Sequence, residues 1–382
     1  MEDATVQGFA APEFDAVARE FRANFAVRGE VGAALAVQVR GRPVVDMWGG
    51  LAAPAAGRRW EHDTVQVVWS ATKGLVATCL AMLADRGRLD YASPVCRYWP
   101  EFAAAGKQRV TVGQLLSHQA GLAYLDAPIT LADVAVPDAL SDLLAAQRPH
   151  WEPGTAHGYH AVTWGFYAGE LLRRIDGRTV GAFLSDEVAG PLGVPAYIGT
   201  PPEVAVGVAT IVPSAAAEPS AAWDPDSDLV RAMFALPELA APGADHDPGV
   251  LALEIPSGCG VTNARALSRV YAALAEGGTL DGVRLLSPDT VKTATAAAVE
   301  GPDRILGELT SFAQGFMKPA TSFFQVSRDP QAFGHPGAGG TLAFADPAAG
   351  LSFAYVTNSQ SASHTDWRAM SLVAAAYRAL EA

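Results

Sequence analysis

The sequence predicts an α+β fold in which one antiparallel sheet is assembled from the two ends of the chain. Apolar, strand-like runs occur at 31–39 and 43–48 near the start, and at 342–345 and 351–357 near the end. A helical pattern lies at each extremity, and the middle of the chain carries several helical patterns with few strand-like runs. These observations predict a sheet flanked by helices, with a mostly helical domain inserted into it.

The N-terminal elements are predicted from residue spacing and turn composition. A helix is expected over 12–28, because Pro12 suits a first helical turn and bulky apolar side chains recur at helical spacing. The recurring side chains are Phe14, Val17, Phe21 and Phe25. The tripeptide Arg40-Gly41-Arg42 separates the first two strand-like runs and indicates a hairpin.

The C-terminal elements are a second pair of strands and a final helix. The segment 346–350 is rich in turn residues, so it is expected to join the strands on either side of it. Beyond these strands, one apolar helix face continues to the end of the chain. Its members are Trp367, Met370, Val373, Tyr377 and Leu380.

We expect a sheet domain made of 1–95 plus 286–382 and a mostly helical domain of 96–285, with the functional site at their interface. The segment 213–250 is rich in Pro, Ala and Asp and is expected to be a long loop over that site. Trp223 and Phe234 lie on it and would add apolar surface to the pocket.

Composition and charge exclude several classes of protein. The chain has 382 residues, of which 50% are hydrophobic and 18% charged, so a globular protein is expected. Its net charge of −13 argues against nucleic acid or an anionic membrane as a partner. No secretory signal is recognised, and no apolar run reaches the roughly 20 residues of a membrane span. The three cysteines show no CxxC spacing. We therefore expect a cytoplasmic monomer or homodimer that needs no metal or organic cofactor.

Ser70 and Lys73 carry the first chemical signal. They precede a strong helical pattern, so Lys73 lies one turn beyond Ser70 on the same face. A serine hydroxyl becomes an effective nucleophile when a neighbouring base takes its proton. Lysine can be that base if burial and the helix N-terminus lower its pKa from about 10.4 towards neutrality. The alternative is an N-cap serine followed by a solvated lysine, although a lysine in the first turn opposes the helix dipole.

Other catalytic patterns are weaker. No Gly-x-Ser-x-Gly window occurs, which excludes an ordinary α/β-hydrolase nucleophile elbow. His157 and His160 flank Tyr159, but no carboxylate spacing supports a serine–histidine triad and no metal-ligand pattern is present. These two histidines are expected to form the pocket wall or to support it, and His118 is expected to cap a helix end.

Three further segments complete a recognisable pattern. The segment 151–160 is turn-rich and delivers Tyr159 just before a predicted helix, and 115–122 is a helix end followed by a glycine turn. The segment 333–340 is a glycine-rich approach to the next strand, where backbone can come close to a ligand. With Ser-x-x-Lys, Pro-Gly-x(4)-Tyr and His-Pro-Gly in this order, nearly the whole chain resembles the serine β-lactamase and penicillin-binding-protein superfamily. Within it, the chain looks most like family VIII carboxylesterases, which are similar to class C β-lactamases.

The resemblance implies a β-lactamase/DD-peptidase-like fold and a role for each matching residue. Ser70 would be the nucleophile, Lys73 the general base, and Tyr159 the residue that shuttles the proton to the leaving group. His335 would stand at the head of the element that reads Lys-Thr-Gly in β-lactamases. The Ser70 and Ala338 amides would then form the oxyanion hole that a tetrahedral intermediate needs.

Two departures from the β-lactamase pattern favour esters over β-lactams. Ala161 stands where β-lactamases have Asn, and His335 replaces Lys, so two groups that help to bind a β-lactam are missing. We expect a carboxylesterase for small acyl or aryl esters, with a partly apolar pocket. The residues expected to contact substrate are Trp69, His160, Phe333, His335 and Gly337. An acyltransferase, a β-lactamase or D-aminopeptidase, and an inactive binding module remain as alternatives.

Overall fold

The computed structural model describes residues 6–213, 224–319, 324–361 and 367–381. Its α-helices in chain order are α1 Asp15–Val27, α2 Thr72–Asp85, α3 Val112–Leu116, α4 Leu131–Val134, α5 Pro137–Ala146, α6 Thr163–Asp176, α7 Val180–Leu184, α8 Gly190–Leu192, α9 Pro202–Ala205, α10 Asp228–Met233, α11 Pro248–Leu251, α12 Ala264–Ala275, α13 Pro288–Thr295 and α14 Trp367–Glu381. Across these four ranges, no helix is both long and apolar enough to cross a lipid bilayer.

The main sheet joins the two ends of the chain. The strands are β1 Val6–Ala10, β2 Gly32–Val39, β3 Arg42–Ala53, β4 Arg58–Arg59, β5 Gln66–Val67, β6 Ala196–Tyr197, β7 Val261–Thr262, β8 Thr279–Leu280, β9 Val283–Arg284, β10 Val299–Pro302, β11 Leu309–Phe312, β12 Met317–Lys318, β13 Phe333–Pro336, β14 Leu342–Asp346 and β15 Leu351–Thr357. In the main sheet the strands follow the order β1-β3-β2-β15-β14-β13-β12-β11-β10, and each strand is antiparallel to its neighbours. In the β2–β15 pair, Leu35 lies opposite Tyr355. The predicted fold class is confirmed.

Side chains of the central strands alternate between the two faces of the sheet, and both faces are buried. On one face, large side chains such as Leu35 and Phe353 pack with α1 and α14. On the other face, smaller side chains such as Ala36 and Ala354 belong to the core that includes α12. Small residues on that face let α12 approach the sheet closely while the interior stays densely packed.

Helix α2 is the buried helix that carries the Ser-x-x-Lys segment into the protein. Every residue from Thr72 to Leu83 is buried, and the helix packs against α6, α7 and α13. Helix α12 had been expected in the inserted helical region, but it packs on β2, β14 and β15. The domain boundaries at 95 and 286 stay a prediction, with α12 on the side of the sheet.

Two features differ from the sequence-based expectation. Strand β1 was not predicted: it is an edge strand whose three central residues are exposed, and Gly8 lies in it with a φ of +99°, so it lacks the apolar alternation of a buried strand. The segment 213–250 is not a uniform loop, since α10 and α11 form within its described part. Phe234 is 37% exposed just after α10, and Trp223 lies outside the described residues.

Candidate active site

Ser70 lies in a 3₁₀ turn that leads directly into α2. The preceding Trp69 has a φ of +48°, in the left-handed region that bulky side chains rarely adopt. The turn is tied to a distant segment, because Val68 N–H donates to the Gly260 carbonyl at 2.9 Å and Gly260 N–H donates to Thr72 Oγ1 at 2.9 Å. Strained backbone held by such contacts is typical of functional sites.

The hydroxyl of Ser70 lies between two polar side chains from different parts of the chain. Its Oγ is 3.0 Å from Lys73 Nζ and accepts a hydrogen bond from Tyr159 Oη at 2.9 Å. Ser70 makes no side-chain cap for α2, whose N-cap is Ala71. The N-cap interpretation of Ser70 is therefore wrong, and so is the solvated lysine, since Lys73 is fully buried.

The surroundings of Lys73 favour its neutral form. Burial lowers its pKa well below the ordinary lysine value. Its Nζ donates to two backbone carbonyls, those of Ala161 at 2.7 Å and Ser257 at 2.9 Å. A neutral amine has two N–H donors and one lone pair, so with both donors on carbonyls the lone pair faces Ser70 Oγ. The geometry thus suits proton transfer from Ser70 to Lys73.

Tyr159 is placed as a neutral phenol. Its side chain is 5% exposed, and burial raises its pKa above the ordinary tyrosine range although the Ser70 hydrogen bond acts in the opposite direction. The ring stacks on Phe312, with a centroid separation of 6.1 Å and planes within 5°. Lys73 Nζ lies 5.0 Å from the centroid of the Tyr159 ring. A neutral phenol next to Ser70 can donate a proton to an oxygen that leaves from there.

The third element approaches the Ser70 turn along β13. A Cβ on Gly337 would lie 2.3 Å from the Val68 carbonyl oxygen, so only glycine permits this approach. Ala338 follows as an exposed residue. Within the described ranges, the Ser70 and Ala338 N–H groups donate to no backbone carbonyl. The two amides stay predicted oxyanion-hole donors.

His335 is buried and uncharged. Its Nδ1 donates to the Pro336 carbonyl at 2.7 Å, which leaves Nε2 as an acceptor. Burial, with a further contribution from nearby Lys73, lowers its pKa to about 3. Nε2 has no hydrogen-bond partner among the described residues, and the ring centroid is 5.9 Å from that of Tyr159. His335 therefore offers an acceptor next to the tyrosine and no positive charge.

Two predicted substrate contacts are wrong, because both side chains are core residues. Phe333 is 0% exposed and packs on Tyr271 and Phe316. His160 is also 0% exposed, and backbone groups occupy both of its ring nitrogens: Leu122 N–H donates to Nε2, and Nδ1 donates to the Gly158 carbonyl.

The remaining predicted residues fall into two groups. Trp69 is partly exposed beside Ser70, so it stays a candidate for the pocket wall together with Gly337 and His335. His118 ends α3, as predicted: it follows the helix with a φ of +64°, its N–H donates to the Leu115 carbonyl at 3.4 Å, and the next N–H, of Gln119, donates to the Gln114 carbonyl at 2.8 Å. Its Nδ1 also accepts the His160 N–H at 3.1 Å. Its ring lies 5.2 Å from that of Tyr159, behind the catalytic candidates.

The sequence-based reasoning missed two residues that the structure brings to this place. Ser257 contributes its backbone carbonyl to Lys73, and Asp303 accepts the Tyr159 N–H at 3.0 Å. Asp303 carries no local motif, so only the three-dimensional arrangement reveals it.

Comparisons with known proteins agree with this arrangement. The model of the β-lactamase family matches residues 14–375. The esterase/β-lactamase LipL of Mycobacterium tuberculosis is 36% identical over 369 residues, which cover 92% of this chain and 83% of that protein. The crystal structure of a family VIII carboxylesterase superimposes with a TM-score of 0.89 at 38% identity, covering 98% of this chain and 100% of that one. EstA from Arthrobacter nitroguajacolicus gives the same TM-score at 34% identity, with 98% and 99% coverage.

These relationships agree with the sequence-based resemblance at each level. The fold is that of the β-lactamases and penicillin-binding proteins, and a penicillin-binding-protein homologue from Caulobacter crescentus also superimposes with a TM-score of 0.89 at 39% identity. Relatives described as esterases match almost the whole chain. The chain therefore belongs to the β-lactamase family and is a serine hydrolase that acts on esters.

Proposed function

We propose that the protein is a carboxylesterase that cleaves small acyl or aryl esters through an acyl-enzyme on Ser70. The observation that carries the proposal is the position of Ser70 Oγ, 3.0 Å from the buried amine of Lys73 and 2.9 Å from the phenol of Tyr159. This arrangement provides a base for the nucleophile and an acid for the leaving group at one oxygen.

In the acylation step, the Ser70 proton passes to Lys73 Nζ while Oγ forms a bond to the ester carbonyl carbon. The Ser70 and Ala338 amides donate to the oxyanion, where preorganised donors are worth most. The carbon–alkoxide bond then breaks, and Tyr159 gives its proton to the departing oxygen. Lys73 returns a proton to Tyr159, which leaves both groups neutral.

Deacylation repeats the sequence with water as the nucleophile. The neutral amine of Lys73, acting directly or through Tyr159, takes a proton from the water, whose oxygen attacks the acyl carbon. The tetrahedral intermediate collapses by breaking its bond to Ser70 Oγ, which recovers a proton. One ester and one water thus yield one acid and one alcohol.

The test uses p-nitrophenyl acetate and butyrate with the wild type and Ser70→Ala. We expect p-nitrophenol release that the variant lowers by at least about 10³-fold, because the proposed nucleophile is Ser70 Oγ. Intact mass after rapid quenching should show an acyl increment that is absent from the variant. Turnover that survives Ser70→Ala would refute the assignment of the nucleophile. A protein that neither turns over nor becomes acylated would favour the inactive binding module.

An acyltransferase would use the same acyl-enzyme with an alcohol or amine in place of water. Product analysis with an added acceptor separates the two activities, because transfer produces a new ester or amide at the expense of free acid. We propose hydrolysis as the main outcome, since Ser70 is partly exposed and water reaches it.

β-Lactam hydrolysis and D-aminopeptidase activity are less favoured. His335 is uncharged where a lysine would attract a carboxylate, and Ala161 contributes only its backbone carbonyl, which Lys73 already occupies. We expect nitrocefin turnover far below that of p-nitrophenyl butyrate. Comparable rates would reverse the order of these two functions. A cytoplasmic location and a monomeric or homodimeric state stay predictions.

A further inference from the structure

A buried carboxylate lies against the segment that carries Tyr159. Asp303 follows β10 and is 2% exposed. Its Oδ1 accepts the backbone N–H of Tyr159 at 3.0 Å, and those of Ile305 and Leu306 at 2.9 Å each. Hydrogen bonds to a carboxylate are stronger than those between neutral groups, and removing one partner leaves buried donors unsatisfied. Asp303 thus joins the backbone of Tyr159 to a tight turn that is 144 residues away in sequence.

The other carboxylate oxygen continues the network to the residue two positions before the tyrosine. Thr310 Oγ1 donates to Asp303 Oδ2 at 3.1 Å, and His157 Nε2 lies 2.9 Å from the same hydroxyl. Because the hydroxyl proton is committed to Asp303, His157 must be the donor in the second bond. Arg304 N–H also donates to the His157 carbonyl at 3.0 Å. The Asp303 turn therefore holds both His157 and Tyr159.

The intervening residue and the tyrosine ring are fixed by the same elements. A Cβ on Gly158 would lie 2.8 Å from Ile305 Cγ1 and 3.0 Å from Trp151 Cη2, so the backbone is in close contact on both sides. The ring of Tyr159 stacks on Phe312, which belongs to β11 two residues beyond Thr310. The backbone and the ring of Tyr159 thus both rest on the pair of strands β10 and β11 and the turn between them. Asp303 supplies the polar contact from that turn.

We propose that Asp303 is a positioning residue for the proton transfer from Tyr159 to the leaving alkoxide. It holds the Tyr159 backbone so that the phenol stays within hydrogen-bond distance of Ser70 Oγ, and the proposal rests on the esterase function given above. Its negative charge also disfavours a phenolate at Tyr159, which keeps the proton available. The other titratable groups near the phenol are Lys73, His118 and His335, all neutralised by burial.

The test compares two butyrate esters that differ in their need for an acid. p-Nitrophenolate leaves without protonation at neutral pH, whereas the ethoxide of ethyl butyrate needs a proton, and general acid catalysis contributes about 10²–10⁴-fold. We expect Asp303→Ala to lower kcat/KM for ethyl butyrate by about 10²-fold and for p-nitrophenyl butyrate by less than tenfold. Asp303→Asn should recover part of the loss, because its amide oxygen can still accept the Tyr159 N–H.

A purely structural role predicts a different result. Loss of folded protein would lower kcat/KM for both esters by the same factor, and that outcome would overturn the proposal. Asp85→Ala is the matched control, since Asp85 also accepts a backbone N–H and hydroxyls, from Ser287 and Thr290, but at the far end of α2. This variant should leave the ratio between the two esters unchanged.

A double-mutant cycle with Tyr159→Phe separates action through the tyrosine from independent action. Once the phenol is absent, Asp303→Ala should cause no more than about a twofold further loss on ethyl butyrate. Losses that multiply would overturn the proposal. If the wild type hydrolyses neither ester, the esterase function itself is refuted. If the wild type is active but Asp303→Ala lowers both activities equally, only the role of Asp303 is refuted.

Discussion

At the scale of single residues, the site depends on groups whose charge is removed by burial. Burial lowers the pKa of Lys73 well below the ordinary lysine value, and its Nζ donates to the Ala161 and Ser257 carbonyls. His335 is neutral for the same reason, with one nitrogen used by Pro336. Ser70 therefore faces a neutral amine, and His335 adds no positive charge beside Tyr159.

The pH dependence of acylation should reveal the neutral Lys73. The amine acts only when unprotonated, and burial lowers its pKa, so activity should rise with pH through a midpoint well below the value of about 10.4 for free lysine. We expect kcat/KM for p-nitrophenyl butyrate to reach its plateau well below pH 10 and to fall as the pH is lowered through that midpoint. Lys73→Arg, which cannot lose its proton, should be inactive throughout. A midpoint near 10 would contradict this account of the base.

The neutral His335 should make the site prefer uncharged esters. We expect kcat/KM for p-nitrophenyl butyrate to exceed that for mono-p-nitrophenyl succinate, which adds a carboxylate to an acyl chain of similar length. His335→Lys should shift the ratio towards the succinate by about tenfold, or about 1.4 kcal/mol, whereas His335→Gln should leave it nearly unchanged. A wild type that prefers the succinate would show that another cation governs the pocket.

The residues that the sequence could identify are those that act through distinctive side chains. Ser70, Lys73 and Tyr159 stand in local patterns, and the structure brings their side chains together. Ser257 contacts Lys73, 184 positions away, through its backbone carbonyl, and Asp303 accepts the backbone N–H of Tyr159, 144 positions away. No local spacing marks either residue. Phe333 and His160 were misassigned because nearness in sequence to a motif says nothing about which side of the backbone a side chain occupies.

At the scale of elements, β13 brings the backbone of Gly337 against the Ser70 turn, next to the Ala338 amide that we propose as an oxyanion donor. Gly337 lies in the described backbone without a positive φ, so its role is steric: a Cβ would overlap the Val68 carbonyl at 2.3 Å. The Gly337 N–H also donates to the Thr341 carbonyl at 2.7 Å and closes the loop that contains Ala338. The exposed Ala338 amide thus depends on contact between two backbones.

Gly337→Ala should therefore damage catalysis more than stability. Relieving the overlap moves β13 away from Val68, and a displacement of about 1 Å at a catalytic group can cost about 10²-fold. We expect kcat/KM for p-nitrophenyl butyrate to fall by about that factor, while the free energy of unfolding falls by about 1–3 kcal/mol. Gly207→Ala is the control, because its Cβ would meet only Val204 O at 3.4 Å. Equal effects of the two substitutions would show that the approach is not limiting.

Elements with a buried alternating pattern were predicted well, and those without one were not. The strands β2, β14 and β15 match their predicted ranges closely because each places apolar side chains on two buried faces. Strand β1 exposes three of its five residues and exists through pairing with β3. Its formation depends on a partner that is remote in sequence, so local composition could not reveal it.

At the scale of the whole molecule, one buried ion pair joins the two ends of the chain. Arg368 Nη1 donates to Glu30 Oε2 at 3.1 Å, and the two side chains are 6% and 0% exposed. Glu30 also accepts hydrogen bonds from Tyr355 and Thr357 on β15. Arg368 Nη2 donates to the Gly339 carbonyl at 3.1 Å. The pair thus connects the region after α1, the central strand and α14 with the loop that carries Ala338.

Removing one member of this pair should be far more costly than removing both. Arg368→Ala leaves the Glu30 carboxylate buried without its cation, which typically costs about 3–5 kcal/mol, whereas replacing a buried pair by neutral groups of similar size is often close to neutral. We therefore expect a large drop in the urea midpoint for Arg368→Ala and a smaller one for the Glu30→Gln/Arg368→Met double variant.

Arg19→Ala is the control, because its ion pair with Asp15 is exposed, with side chains 67% and 61% accessible, and should change the midpoint little. If the single variant at Arg368 is no less stable than the double variant, the charge of Glu30 is not what the arginine balances. The arginine would then stabilise the molecule mainly through its bonds to the Gly339 and Ser359 carbonyls, and Arg368→Ala should lower esterase activity in protein that remains folded.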